Sequence, residues 1–126
     1  MKTLAFLLLF LLLIGCSEDQ SLNPTQEVDF GARYGLETNS EDAPSIKDGS
    51  LIVKVNYSGC GGNHSFELKS RTTKSKSEIW LFKETKDQIC DAYFVEERSF
   101  KLSKSIINSK EIVLLTPNDG EISLRK

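Results

Sequence analysis

The sequence predicts an all-β fold: a small antiparallel β-sandwich or barrel of about six or seven strands with one disulfide, after a signal peptide and a flexible tether. Three observations carry this expectation. Leu51, Val53, Val55 and Tyr57 alternate with polar Lys54 and Asn56, the period of a half-buried strand. Turn-forming groups, Lys47-Asp48-Gly49 and Pro117-Asn118-Asp119-Gly120, bracket the strand-like runs. Two cysteines, Cys60 and Cys90, flank predicted strands about 30 residues apart.

At the N-terminus, Met1-Lys2-Thr3 precedes an unbroken apolar run from Leu4 to Ile14 and then Gly15-Cys16. A basic start, a short apolar stretch and a small residue before a cut site predict a secretory signal peptide over residues 1–15. The eleven apolar residues fall short of the roughly 20 that a helix needs to cross a bilayer. Leu13-Ile14-Gly15-Cys16 resembles the bacterial lipobox. That resemblance implies a diacylglyceryl group on the Cys16 thiol, cleavage before Cys16 and acylation of the new amine. Two or three acyl chains together hold a protein durably on a membrane, whereas one binds marginally. Loss of Lys2 with the leader moves the formal charge from −2 to −3, and no basic cluster suited to a nucleic-acid backbone remains.

Residues 16–46 are rich in Ser, Glu, Asp, Asn, Pro and Thr and predict a tether, because such composition buries too little surface to offset ordering entropy. Ser17-Glu18-Asp19 resembles the acidic export signals of surface-exposed Bacteroidetes lipoproteins, and it equally suits a solvated start to the tether. Within the tether, Val28, Phe30 and Tyr34 could form a short strand that docks on the domain.

The predicted domain spans residues 47–126. After the first strand, His64, Phe66 and Leu68 alternate with Ser65, Glu67 and Lys69 and predict a second, antiparallel to the first. Ser70 to Ser77 is polar and basic and reads as a solvated loop. Glu78-Ile79-Trp80-Leu81-Phe82 is apolar on both parities, as expected of a strand covered on two sides. Lys83 to Gln88 reads as a polar turn, and Asp91 to Glu97 as a further strand whose period runs on through Phe100 and Leu102. The stretch from Lys101 to Lys110 also suits a short helical turn. Ile112 to Leu115 predicts another buried strand, and Ile122 and Leu124 the last, after a hairpin turn in which Gly120 is free to take positive φ.

With Cys16 committed to lipid, Cys60 and Cys90 can pair only with each other, as an exported chain favours. Closing a loop of that length contributes about 3–4 kcal/mol in the chain-entropy account. The alternative is a metal or thiol site of Cys60, His64 and Cys90, with Asp91 as a further candidate. Against it, the paired C-x-x-C spacing is absent, and Asp91 follows Cys90 directly, so the two would point to opposite faces of a strand. His64 shares parity with Phe66 and Leu68, which predicts a core-facing ring whose nitrogens bond nearby backbone. No nucleophile elbow accompanies it, and adjacent Glu96 and Glu97 cannot face each other, so no catalytic residues are expected. Gly59, Gly61 and Gly62 lack the Lys-Ser/Thr of a phosphate loop; the expectation is a bulged turn with positive φ carrying Cys60. No cofactor is expected.

Several of these runs together resemble the C-terminal β-sandwich domain of NigD-like lipoproteins of Bacteroidetes. The resemblance rests on Val55 to Cys60, His64 to Leu68, Cys90-Asp91-Ala92, and Glu96-Glu97 with Phe100 to Ser103, and covers about residues 51–103. It implies a fold and an envelope location, without an activity. Three functions are open on the sequence. The first is a lipid-anchored, non-catalytic module of the cell envelope, on the outer membrane or its outer surface, whose partners are the membrane through Cys16 and an envelope protein or glycan. The second is an inhibitor of an external protease or lysozyme, with the 70–77 or 103–110 loop as the inserting element. The third is a metal-binding or redox lipoprotein.

Overall fold

The computed structural model describes residues 27–125. The expected signal peptide and lipobox, and residues 16–26 of the expected tether with Cys16, lie outside the described residues. Eight strands and one helical turn follow in order: β1 Gly35–Leu36, β2 Ser45–Lys47, β3 Ser50–Gly59, β4 Phe66–Thr73, β5 Lys76–Lys83, β6 Ala92–Lys101, α1 Lys104–Ile107, β7 Glu111–Leu115 and β8 Glu121–Arg125. They form two four-stranded sheets, and the all-β expectation holds as a sandwich, not a closed barrel.

In the first sheet β3 is central, paired along its whole length with β6 and on its other edge with β1 and β2. The second sheet runs β4-β5-β7-β8. Period-two alternation builds the core between them. Leu51, Val53, Val55 and Tyr57 of β3 are buried against Ile79 and Leu81 of β5 and Ile112 and Leu114 of β7. Leu102 and Ile106 close the end opposite the cysteines. The short helix forms there because Ser103 caps it, accepting the Ile106 amide, while Ile106 turns into the core.

Three features depart from the sequence reading. The second sheet is mixed, since β7 runs parallel to β5. After β5 the chain crosses to the first sheet, returns along β6, turns through α1, and re-enters the second sheet in β5's own direction. The 70–77 stretch is no loop: β4 and β5 pair through Thr73↔Lys76 and leave only Lys74 and Ser75 to turn. Its polar residues suit the ladder. Arg71 pairs with Glu78 on the outer face, and inward Ser77, fully buried, shares hydroxyl bonds with Thr72 and Ser109.

The third departure is the upstream boundary. From Phe30 to Lys47 the expected tether is packed on the sandwich. Lys83 donates to the Phe30 carbonyl at 2.9 Å and its own carbonyl accepts from Ala32 at 3.1 Å, which extends the second sheet beyond the end of β7. Tyr34 is buried, its ring edge-on to Phe66 and its hydroxyl donating to the Leu81 carbonyl at 2.6 Å. The Val28–Tyr34 island therefore joins the fold. A few well-placed apolar residues suffice here because each meets an existing core.

Tyr34→Ala is expected to destabilise the mature chain by about 3–5 kcal/mol, and Tyr34→Phe by about 1 kcal/mol. Urea unfolding checks both; a loose tether would leave each midpoint unmoved.

Candidate functional site

Two of the crossings between sheets, residues 60–65 and 84–91, lie at one end of the sandwich, and Cys60 and Cys90 are joined there by a disulfide with Cα atoms 4.7 Å apart. Polar contacts repeat the link. The Cys60 amide donates to Gln88 Oε1 at 2.6 Å and the Ser65 amide to Thr85 Oγ1 at 2.7 Å. Arg33, from the upstream segment, donates through its amide and its guanidinium to the two oxygens of Asp87, each at 3.0 Å. These donors, the Arg33 amide foremost, hold the Asp87 carboxyl below its ordinary range.

Beneath the crossings lies Tyr57, buried at the end of β3's inward row. Its hydroxyl donates to Glu96 Oε1 at 2.8 Å and accepts from the His64 amide at 3.2 Å. Burial raises the Tyr57 phenol above its ordinary range. Glu96 Oε1 also accepts the Asn63 amide at 2.9 Å, and Arg98 bonds the other oxygen. Burial alone would raise the Glu96 carboxyl, but these three donors outweigh it and hold the group down to about 2. Glu97, one residue on, is exposed on the opposite face, as its parity requires.

His64 is core-facing, as expected, with 3% of its surface exposed. The expected bonds to backbone are not made. Its ring stacks on Tyr57, with centroids 4.2 Å apart and planes at 21°, and neither nitrogen has a hydrogen-bond partner among the described residues. The glycines also act differently from expectation. Among the described residues Asn63, not a glycine, takes positive φ in this loop, at 56°. Gly59 is required by close approach: a Cβ there would stand 2.7 Å from both His64 Cε1 and Gln88 Oε1. Likewise Asp119, not Gly120, adopts positive φ in the last hairpin.

Lys83 was hidden in the sequence by its place at the head of a polar turn. It keeps the parity of Ile79 and Leu81, and that signal points it inward. It is 1% exposed; its Nζ lies 5.2 Å from the Tyr57 ring centroid and has no hydrogen-bond partner among the described residues. Burial lowers its pKa.

The metal reading of Cys60, His64 and Cys90 does not survive this geometry. Both sulfurs are spent on each other, and among the described residues no group of three His, Cys, Asp or Glu side chains could hold an ion. Above the staple a polar cleft of about 470 Å³ opens between Arg33, Asn56, Asp87, Asp91 and Tyr93, with Tyr34 and Tyr57 also in its lining. Together these features define a disulfide-closed, two-sheet all-β domain. No family model matches the chain, and no curated protein and no solved structure is similar to it.

Two stability tests follow. Lys83→Met should stabilise the protein at neutral pH by about 1–2 kcal/mol. Because the folded value lies below the unfolded 10.5, the unfolded state binds more protons between the two, and wild-type stability climbs as pH rises through that window. The variant should lose this climb in urea titrations taken at successive pH values. Glu96 acts in the opposite sense. Its contribution is complete above its ordinary 4.5 and is lost as pH falls toward 2, so Glu96→Gln should be less stable at neutral pH and flatter on the acid limb.

Proposed function

We propose that this chain is a lipoprotein of the bacterial cell envelope, anchored through acyl chains on Cys16, whose sandwich is a NigD-like, non-catalytic binding or accessory module. The observation that carries the anchoring is the lipobox Leu13-Ile14-Gly15-Cys16 at the end of a short apolar run with a basic start. The binding-module reading is supported by how the chemically reactive residues are used. Cys60 and Cys90 form the staple, His64 lies under the crossings against Tyr57, and Glu96 is saturated by three donors. Groups so committed serve the fold. The partners that suit such a module are an envelope protein or glycan, on the outer membrane or its outer surface.

A second reading, inhibition of an external protease or lysozyme, is favoured by one observation. Ile89 is 99% exposed, and both its neighbours are tied to Cys60, Gln88 through its side chain and Cys90 through sulfur. A preorganised apolar tip loses little entropy on entering a cleft. This moves the candidate inserting element from 70–77 and 103–110 to the 84–91 crossing.

Cells fed an alkyne analogue of palmitate should label the wild-type chain and place it in the membrane fraction, while Cys16→Ser should abolish both. A labelled Cys16→Ser chain would refute the anchoring. Inhibition in a panel of lysozymes and proteases that Ile89→Asp removes would favour the second reading; the same panel without inhibition would dismiss it.

A further inference from the structure

β6 is ten residues long and pairs with β3 in unbroken register from Gly59↔Ala92 to Ser50↔Lys101. Among the described residues no strand pairs with its other edge. Such an edge exposes a row of unpaired amides and carbonyls, which proteins ordinarily blunt with proline, bulges or short length. β6 has none of these, and the charges that also protect edges, Glu96, Glu97, Arg98 and Lys101, all lie in its second half, after Val95. Along its outward face the order is Asp91, Tyr93, Val95, Glu97 at every second residue, the first just before the strand. Tyr93 and Val95 are 63% and 49% exposed, and with Ile89 they are the exposed large hydrophobic residues of the described chain. All three therefore fall within the seven residues leading into and opening this free edge.

The charges beside them select the occupant. Asp91 and Glu97, both exposed, bracket the apolar pair at equal spacing on the same face. Lys54, opposite Glu97 on β3, is engaged by Asp42. An added strand places its own side chains directly across from these positions, where opposite charges attract and like charges repel. Pairing of β6 with a second β6 in the two same-face registers with the largest overlap sets Glu96 against Glu96 or Glu97 against Glu97, which disfavours self-association.

We infer that the free edge of β6 is a strand-addition site for an extended segment of a partner protein that carries basic residues on either side of two apolar ones, all on one face. Backbone hydrogen bonds to β6 supply the affinity, and the acid–apolar–apolar–acid row supplies the selection. The inference rests on the binding-module reading and names the partner class for it.

The test uses the mature lipidated chain in detergent and two labelled peptides, Lys-Thr-Val-Thr-Val-Thr-Lys and its counterpart with Glu at both ends. The lysine peptide should bind about tenfold tighter in fluorescence anisotropy, lose that advantage at high salt, and slow amide exchange in β6 but not in β4. Val95→Lys, checked for an unchanged unfolding transition, should reduce its binding about tenfold or more. Failure of the lysine peptide to bind, equal binding of both peptides, or protection outside β6 would each overturn the proposal. So would a dimer of the chain that Val95→Lys dissolves, which would give the edge to a second copy. Palmitate labelling at Cys16 does not depend on these outcomes, so the edge site can fail while the lipoprotein reading stands.

Discussion

The Cys60–Cys90 bond holds together two of the places where the chain passes between sheets, β3 to β4 and β5 to β6. Each crossing is a stretch of polar loop with little apolar surface of its own, and each must cover the open end of the same core. Cross-linking them removes conformational freedom from the unfolded chain, an effect of about 3–4 kcal/mol for a loop of this length. Net stabilities of small domains are only about 5–15 kcal/mol. The strand order follows from the same arrangement. The excursion of β6 into the first sheet, begun at the staple, is what returns β7 parallel to β5.

That closed end shelters polar atoms that the remainder of the core would not tolerate. Lys83 Nζ and both His64 nitrogens are buried without hydrogen-bond partners among the described residues, and both side chains lie against the ring of Tyr57. An aromatic face offers a cation partial compensation, weaker than a carboxylate would give. The opposite end is handled differently. There the buried hydroxyls of Ser77 and Ser109 bond each other, and Ser109 also donates to the Ser105 carbonyl. One end is thus satisfied by its own polar groups, and the other is held shut by a covalent bond over groups that are not.

Two of the sheet edges, β4 and β6, are also unlike. β4 carries Glu67, Lys69 and Arg71 on its outer face, over Phe82 and Trp80 of the neighbouring strand. Charges of this kind discourage strand addition. β6 instead opens on tyrosine and valine, with acids only at the flanks. The functional proposals therefore concentrate on one side of the molecule, from the Ile89 tip along β6.

Alternation was the most legible feature of the chain. Leu51 to Tyr57 reads as a strand because a pleat sends every second side chain the same way, and Ile79 to Leu81 and Ile112 to Leu114 because a short unbroken apolar run fits a buried strand; both patterns are local. The cysteine pairing was legible by elimination. Residues 70–77 were not, because a strand whose outward face is wet and whose inward hydroxyls bond one another has the composition of a loop. Phe30 and Tyr34 were visible as an island, but their burial depends on Lys83 and Leu81 about fifty residues away. The environments of Lys83 and His64, and the open edge of β6, were likewise settled by strand order and by the crossings. Periodicity states which side chains share a face; only packing between distant segments states what that face meets.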